Sequence, residues 1–460
     1  MNSTKSAYHQ LFKVLFSTKG IAIEDWIGNQ YSYQQVYNNS QLVANYISSL
    51  KLVNIDFVAI EADNNIESYF LILGCWLAGK GYVPIPSDTP VERKNYLLKQ
   101  THNTTILKFS DVKVEELQTL TIIEPIKAPK WAYLLFTSGT TGKPKGVPIE
   151  WQQLDAFWQH YDGHKNIHFT PGFNWLQTYE LNFDVSVFIY LLCFTTKGKL
   201  CLLPNQGIKF LSIAKAIQAY KINVTSNVPT TARLLEKQLE KLDFSSVKYS
   251  FFSGDALYPN WAKAWIKSMP NAKVYNCYGP TETTIVCSEE NLKEVSKSYF
   301  KIDEPLPVGE PFKNTLFKEV DGQLAIGGSQ VFSGYYQDAK ESFTKIDNVP
   351  YYLSGDDIRL DENGKWIFKG RTDHQIQIQG YRVELQEIQS VIKNIYDCFS
   401  VVISHNDYLY LFIVSDITLN LDLESYLPWY MLPKKTLFLK TLPLNKNQKI
   451  DYYQLKKLID

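Results

Sequence analysis

The chain predicts an α/β protein: a large N-terminal domain of doubly wound α/β layers with a β-rich subdomain, followed by a small α+β C-terminal domain. Three observations carry that expectation. Over the first 300 residues, short apolar β-type runs alternate with longer helical patterns, the rhythm of parallel α/β layers. Between about 300 and 369 the texture changes to short alternating segments with close-spaced glycine, as expected of a small β-rich unit. From Gln375 onward a strand, an amphipathic helix and a strand pair follow one another.

The elements fall in order. IDFVAIEAD predicts a strand, NIESYFLILGCWLAGK a helix, GYVPIP a second strand, and KVYNCYG a strand that runs into a loop. GQLAIGG, SGYY and GKWIFKG mark the β-rich subdomain. QIQIQGYRVELQEIQSVIKNI reads as one strand and its helix, and VVISHNDYLYLFIVSD as a strand pair about a polar turn. The expected boundary separates 1–372 from 374–460, a C-terminal part of fewer than about 90 residues.

Composition narrows the function. At 45% hydrophobic and 20% charged residues the chain is too apolar to stay disordered. Lys+Arg and Asp+Glu are 47 each, so no bulk field draws in a polyanion, and neither nucleic acid nor a membrane surface is an expected partner. The six cysteines (Cys75, Cys193, Cys201, Cys277, Cys287, Cys398) form no CxxC or Cys/His cluster of metal spacing. A reducing compartment suits them. The N-terminus lacks a leader pattern, and the longest apolar stretch, around VSVFIYLLCF, is too short to span a bilayer. The expected location is cytoplasmic.

The strongest chemical signal is YLLFTSGTTGKPKGV, Tyr133 to Val147. Small residues let backbone N–H groups approach phosphate oxygens, hydroxyls add donors, and Lys143 and Lys145 add positive charge. The loop is a phosphate-binding candidate. GxxxxGK[ST] is absent and Pro144 follows Lys143, which argues against a P-loop NTPase, and Gly79 and Gly81 lack the third glycine of a dinucleotide fingerprint. On composition alone a flexible Gly/Thr linker is an equal reading.

FTSGTTGKPKG resembles the signature loop of the adenylate-forming (ANL) superfamily: acyl-CoA synthetases, luciferases and the adenylation domains of nonribosomal peptide synthetases. Further segments resemble that family's motifs in its order. They are GYVPIPSDTPVER (81–93), NFDVSVF (182–188), NCYGPTETT (276–284), YLSGDD (352–357), GRTDHQIQIQGYRVELQEIQ (370–389) and LPLNKNQKID (442–451). The likeness covers essentially the whole chain.

The resemblance implies ATP and Mg2+ as cofactors. It assigns Thr137, Ser138, Gly139, Thr140, Thr141, Gly142 and Lys145 to the phosphates, Glu282 to magnesium, and Tyr278 and Asn276 to adenine. Gly279 and Thr281 lie in the same adenine loop, Asp356 matches the acid on the ribose hydroxyls, and Arg371 a ribose or phosphate contact. Lys449 matches the lysine that bridges the substrate carboxylate and ATP, a mobile positive charge between two anions. Its motif departs from the usual NGK, reading Asn447-Gln448-Lys449. Asp373 matches the hinge about which family members reorient a small C-terminal lid domain between adenylation and thioester formation.

Asp184 matches the aspartate that pairs with an α-ammonium in amino-acid-activating members. A fatty or aryl acid offers no cation, and a buried unpaired carboxylate is costly. Carried across by motif alignment, the resemblance implies a substrate pocket of Asp184, Val185, Phe188, Ser226, Phe251, Ser253, Cys277, Ile285, Val286 and Lys449. Apart from Asp184 and Lys449 that wall is uncharged, so a small to medium neutral amino acid is expected. Among freestanding relatives the chain resembles D-alanine–carrier protein ligases. Only nine residues follow Asp451, so the chain is expected to be either a freestanding enzyme whose phosphopantetheine arm sits on a separate carrier protein or an excised domain, with coenzyme A as the simpler alternative acceptor. The alternatives are an acyl- or aryl-CoA synthetase, in which Asp184 is structural, and a non-catalytic nucleotide-binding protein of the same fold.

Overall fold

The computed structural model describes residues 6–113, 125, 127–138, 143–204, 207–301, 304–337, 343–372, 375–378, 381–444 and 450–459. Its contacts divide the chain into two compact units. The larger comprises Met1–Ser87, Leu98–Leu135 and Gly146–Thr372; the smaller comprises Asp88–Leu97, Phe136–Lys145 and Asp373–Asp460.

The larger unit contains a nine-stranded sheet. Its central order is Lys273–Tyr278, Tyr249–Phe252, Val224–Asn227, Asn174–Gln177, Lys199–Leu202 and Ile21–Glu24, all parallel neighbours. Antiparallel strands close the two edges: Ser288–Asn291 and Glu310–Pro311 at one, Gln30–Ser32 at the other. A second sheet runs Phe57–Glu61, Gly81–Ile85, Trp131–Thr137, Lys145–Glu150. The expected strands in IDFVAIEAD, GYVPIP and KVYNCYG form as Phe57–Glu61, Gly81–Ile85 and Lys273–Tyr278, and the helix between the first two runs Ile66–Leu77. Asn65 starts that helix by accepting the Ser68 N–H at 3.0 Å, the usual remedy for an orphan donor at a helix start.

The run VSVFIYLLCF forms helix Val185–Thr195, all eleven residues of which are buried. A helix apolar all round belongs inside a layered core, and each large side chain so placed contributes roughly 1.5–3 kcal/mol. Among the described residues no helix is long and apolar enough to cross a membrane. The β-rich stretch forms a four-stranded antiparallel sheet, Thr315–Val320, Gln323–Gly328, Val349–Leu353, Phe343–Ile346, and a hairpin of Asp356–Leu360 with Trp366–Arg371.

In the smaller unit the expected single strand of 375–384 is a hairpin, Gln375–Ile378 against Tyr381–Glu384. Each arm alternates with a period of two, but the apolar positions shift phase between them, from Ile376 and Ile378 to Tyr381 and Val383, and the single-strand reading passes over that shift. Helix Leu385–Tyr396 follows, then strands Ser400–His405, Tyr408–Val414 and Lys435–Leu439. Helix Tyr452–Lys457 is capped by Asp451, which accepts the Gln454 N–H at 3.0 Å. The two earlier segments are tied in by name. Arg93 Nη1 meets Glu387 Oε1 at 2.6 Å with both side chains at most 10% exposed. The Glu92 N–H donates to the Ser425 carbonyl, and the Tyr96 hydroxyl donates to the Pro144 carbonyl at 3.1 Å.

Candidate active site

Strand register brings together, in the larger unit, several of the residues that the sequence singles out for the acid. Ser226, Phe251 and Tyr275 are lateral neighbours on three adjacent strands. Ser253 and Cys277 lie two residues beyond Phe251 and Tyr275, so all share one face of the sheet. Phe188, one turn into the buried helix, packs edge-on to Phe251 at 5.0 Å, and Phe251 stacks on Tyr275 at 5.3 Å. Val185, Phe188, Ser226, Phe251, Ser253, Cys277, Ile285 and Val286 are all buried. The Tyr179 hydroxyl lies 3.4 Å from Ser253 Oγ, a neighbour the sequence did not indicate.

Asp184 stands at the N-terminal end of helix Val185–Thr195, where the helix field favours a negative charge. Burial is the largest influence on its carboxyl and raises it; the Thr281 hydroxyl opposes that, the Glu282 charge adds to it, and the N–H groups of Val185 and Ile285 oppose it again. The net effect pushes the group up to about 7. Its Oδ2 is buried and has no hydrogen-bond partner among the described residues. Thr281, expected at the nucleotide, thus also bears on Asp184.

The loop after strand Lys273–Tyr278 is tightly constrained. A Cβ on Gly279 would lie 2.5 Å from the Val286 Cα and 2.9 Å from the Cys287 nitrogen, so only glycine lets the two arms meet. Gly279→Ala is expected to destabilise the larger unit by about 1–3 kcal/mol. Calorimetry should show a thermal midpoint lowered by several degrees, and an unchanged midpoint would contradict the contact. Thr284 and Ile285 take φ of 61° and 72°, a conformation that costs β-branched residues on the order of 1–3 kcal/mol each. Both are buried.

Glu282 is fully buried on the 3-10 turn Thr281–Thr283. Its Oε1 accepts the Tyr335 hydroxyl at 2.9 Å, and its main-chain carbonyl accepts the Phe332 N–H at 2.8 Å. A carboxylate fixed in this way beside hydroxyl groups is a hard-oxygen donor that suits magnesium, which takes one or two carboxylates together with phosphate oxygens.

Tyr278, Asp356 and Arg371 form a connected group. The Tyr278 hydroxyl donates to Asp356 Oδ2 at 2.6 Å, and Arg371 Nη1 donates to Asp356 Oδ1 at 2.6 Å. Asp356 and Arg371 are partners in the hairpin register. The bonds fix the acid and the tyrosine ring. Asn276 is buried, and its amide donates to the carbonyls of Pro307 at 2.8 Å and Leu306 at 3.4 Å. The donors expected on adenine are therefore engaged by the main chain.

In the smaller unit Thr137 ends strand Trp131–Thr137 and Lys145 begins strand Lys145–Glu150. Ser138 is buried and its hydroxyl donates to the Arg382 carbonyl at 3.1 Å. Gly139, Thr140, Thr141, Gly142, Asp373 and Lys449 lie outside the described residues.

One cluster was not expected. Glu289 Oε1 lies 2.8 Å from His164 Nε2 and 3.3 Å from His160 Nε2, and Glu289 Oε2 accepts the Tyr161 hydroxyl at 3.1 Å. The three ligand-type side chains fall within 4.8 Å of one another. His164 Nδ1, however, accepts the N–H groups of Asn166 and Ile167, both at 3.0 Å. Its proton therefore sits on Nε2 and points at the carboxylate, which leaves no lone pair there for a cation. Burial alone would raise the Glu289 carboxyl, but the two histidines outweigh it and hold the group below the usual range. The cluster fixes Tyr161, whose ring packs edge-on to Phe188 at 5.2 Å.

These features are those of an adenylate-forming enzyme, and comparison with known proteins agrees. Residues 18–128 and 108–336 match the AMP-binding enzyme family, and the chain belongs to that family. The D-alanine–D-alanyl carrier protein ligase of Staphylococcus epidermidis is 29% identical over 472 residues, covering 94% of this chain and 95% of the relative. That of Staphylococcus aureus is 31% identical over 477 residues, with the same coverage. The solved adenylation domain AlmE of Vibrio cholerae, in complex with glycyl-adenosine-5'-phosphate, shares the fold. Its TM-score is 0.83 at 22% identity, over 99% of this chain and 98% of that one.

Proposed function

We propose that this enzyme activates a small neutral amino acid as its adenylate and transfers it to the phosphopantetheine thiol of a separate carrier protein. D-Alanine, the amino acid in the names of the staphylococcal relatives, is the first candidate. The observation that carries the reading is the buried Asp184 oxygen without a partner at a helix start. An α-ammonium supplies the missing donors and the opposite charge at once. A plain carboxylic acid supplies neither.

On this reading a substrate carboxylate oxygen attacks the α-phosphorus of ATP, the bond to the bridging β-phosphate oxygen breaks, and pyrophosphate leaves. Lys449 and Lys145 neutralise the meeting anions, with Thr137, Ser138 and 139–142 on the phosphates. Tyr278 presents its ring to adenine, and Asp356, steadied by Arg371, accepts from the ribose hydroxyls. Asn276 shapes the adenine strand through its bonds to Leu306 and Pro307. Glu282 would hold magnesium, which when bound offsets phosphate charge. The thiol then attacks the acyl carbonyl carbon, losing its proton, and AMP departs. The domains divide as 1–372 and 374–460, with Asp373 as the hinge between the two half-reactions.

ATP–pyrophosphate exchange across single L- and D-amino acids, with benzoate and a medium-chain fatty acid alongside, tests the reading. Exchange with one small neutral amino acid is expected. Exchange with the non-amino acids alone would overturn it in favour of an acyl- or aryl-CoA synthetase. The pH profile follows from Asp184. With the carboxyl pushed up to about 7, the protonated form below that pH cannot pair with ammonium. Thus kcat/KM for the amino acid should climb as pH rises through 7 and level off above it. A profile flat from pH 6 to 8 would contradict the assignment.

A further inference from the structure

The left-handed pair Thr284–Ile285 is held by one side chain that no motif includes. Gln330 is 2% exposed, and its Nε2 donates to the carbonyls of Val286 at 2.9 Å and of Thr283 and Thr284 at 3.3 Å. The Thr284 hydroxyl returns a bond to the Gln330 main-chain carbonyl at 2.6 Å. Two amide hydrogens shared among three carbonyls form a clamp around the turn, and those carbonyls are buried, so an alternative to Gln330 is not offered by water. The turn in turn carries Ile285 and Val286 of the pocket wall, and the Ile285 N–H faces Asp184. Two residues further on, the Phe332 N–H holds the Glu282 carbonyl from the same segment.

We propose that Gln330 is a positioning residue for amino-acid recognition: it keeps the 283–286 turn in its strained shape, so that the Ile285 N–H and the Ile285–Val286 wall stay in register with Asp184. A turn of β-branched residues at positive φ does not hold itself; freed of its clamp it relaxes toward negative φ and turns the Ile285 N–H away. The inference rests on the assignment of Asp184 to the substrate ammonium.

Gln330→Met keeps the length of the side chain and removes the donors. Amide hydrogen exchange at Ile285 and Val286 should quicken by about tenfold or more without ligand, while the strand Tyr249–Phe252 keeps its protection. KM for the amino acid should rise about tenfold with kcat within about threefold and KM for ATP unchanged. Thr284→Val, which removes the return bond alone, should give the same pattern at smaller size and serves if Gln330→Met does not fold. Unchanged exchange at 285–286, or equal rises in KM for both substrates, would overturn the proposal. Asp184→Asn run in parallel separates the two ideas. If it leaves the amino-acid KM unchanged, the ammonium assignment fails and the recognition role with it, whereas a large effect there beside none in Gln330→Met defeats the clamp alone.

Discussion

Asp184→Ala is expected to lower kcat/KM for the amino acid by roughly 10²- to 10³-fold, with KM for ATP little changed. Taking one partner from a buried ion pair costs about 3–5 kcal/mol, because the ammonium must then enter the site without the carboxylate that pairs with it. Asp184 is 7% exposed, so water does little to screen the loss. The variant should also fold at least as well as the parent, since the empty site harbours a carboxylate whose ionisation burial opposes. Pyrophosphate exchange measures the first effect and thermal unfolding the second. Exchange retained within tenfold would move Asp184 to a structural role.

Lys449→Ala should lower kcat for adenylation by about 10²- to 10³-fold, the scale on which one group stabilising developing charge contributes. Only the adenylation step brings two anions together, so transfer from separately supplied aminoacyl adenylate to the carrier protein should survive the change. Exchange measured against single-turnover thioester formation distinguishes the steps. Equal loss in both would mean that the lysine supports the domain rather than the chemistry. Lys449→Arg should recover little, because a planar fork does not replace a compact ammonium between two oxygens.

The parts of this molecule that were legible beforehand are those whose signal is local. Short continuous apolar runs such as Phe57–Glu61 and the wholly apolar run at 185–195 announce their own elements. Gly279 was visible as part of a motif, but the reason for it, a main chain 2.5 Å from where its Cβ would be, was not. Three kinds of feature escaped. The hairpin at 375–384 reads as one strand because each arm alternates, although the apolar positions shift phase between Ile378 and Tyr381. Pairings across long sequence distances leave no local trace: Glu289 meets His160 from 129 residues away, and Gln330 reaches back 44 residues to Val286. Side-chain engagement is also invisible, so Asn276 read as an adenine donor although its amide serves Pro307 and Leu306. Asp184 was legible as a residue; its unpartnered oxygen was not.

The Arg93–Glu387 pair bears on how the molecule comes into being. Its members are 294 residues apart in the chain, so at ribosomal rates of about 5–20 residues per second the arginine emerges roughly 15–60 s before its partner. Throughout that interval the helix Val91–Gln100 can reach its final arrangement only in part. The smaller unit therefore has to close last, by a long-loop contact whose entropy is met only once the chain between is ordered. A ribosome that stalls between these positions would leave the basic end of that pair waiting in water.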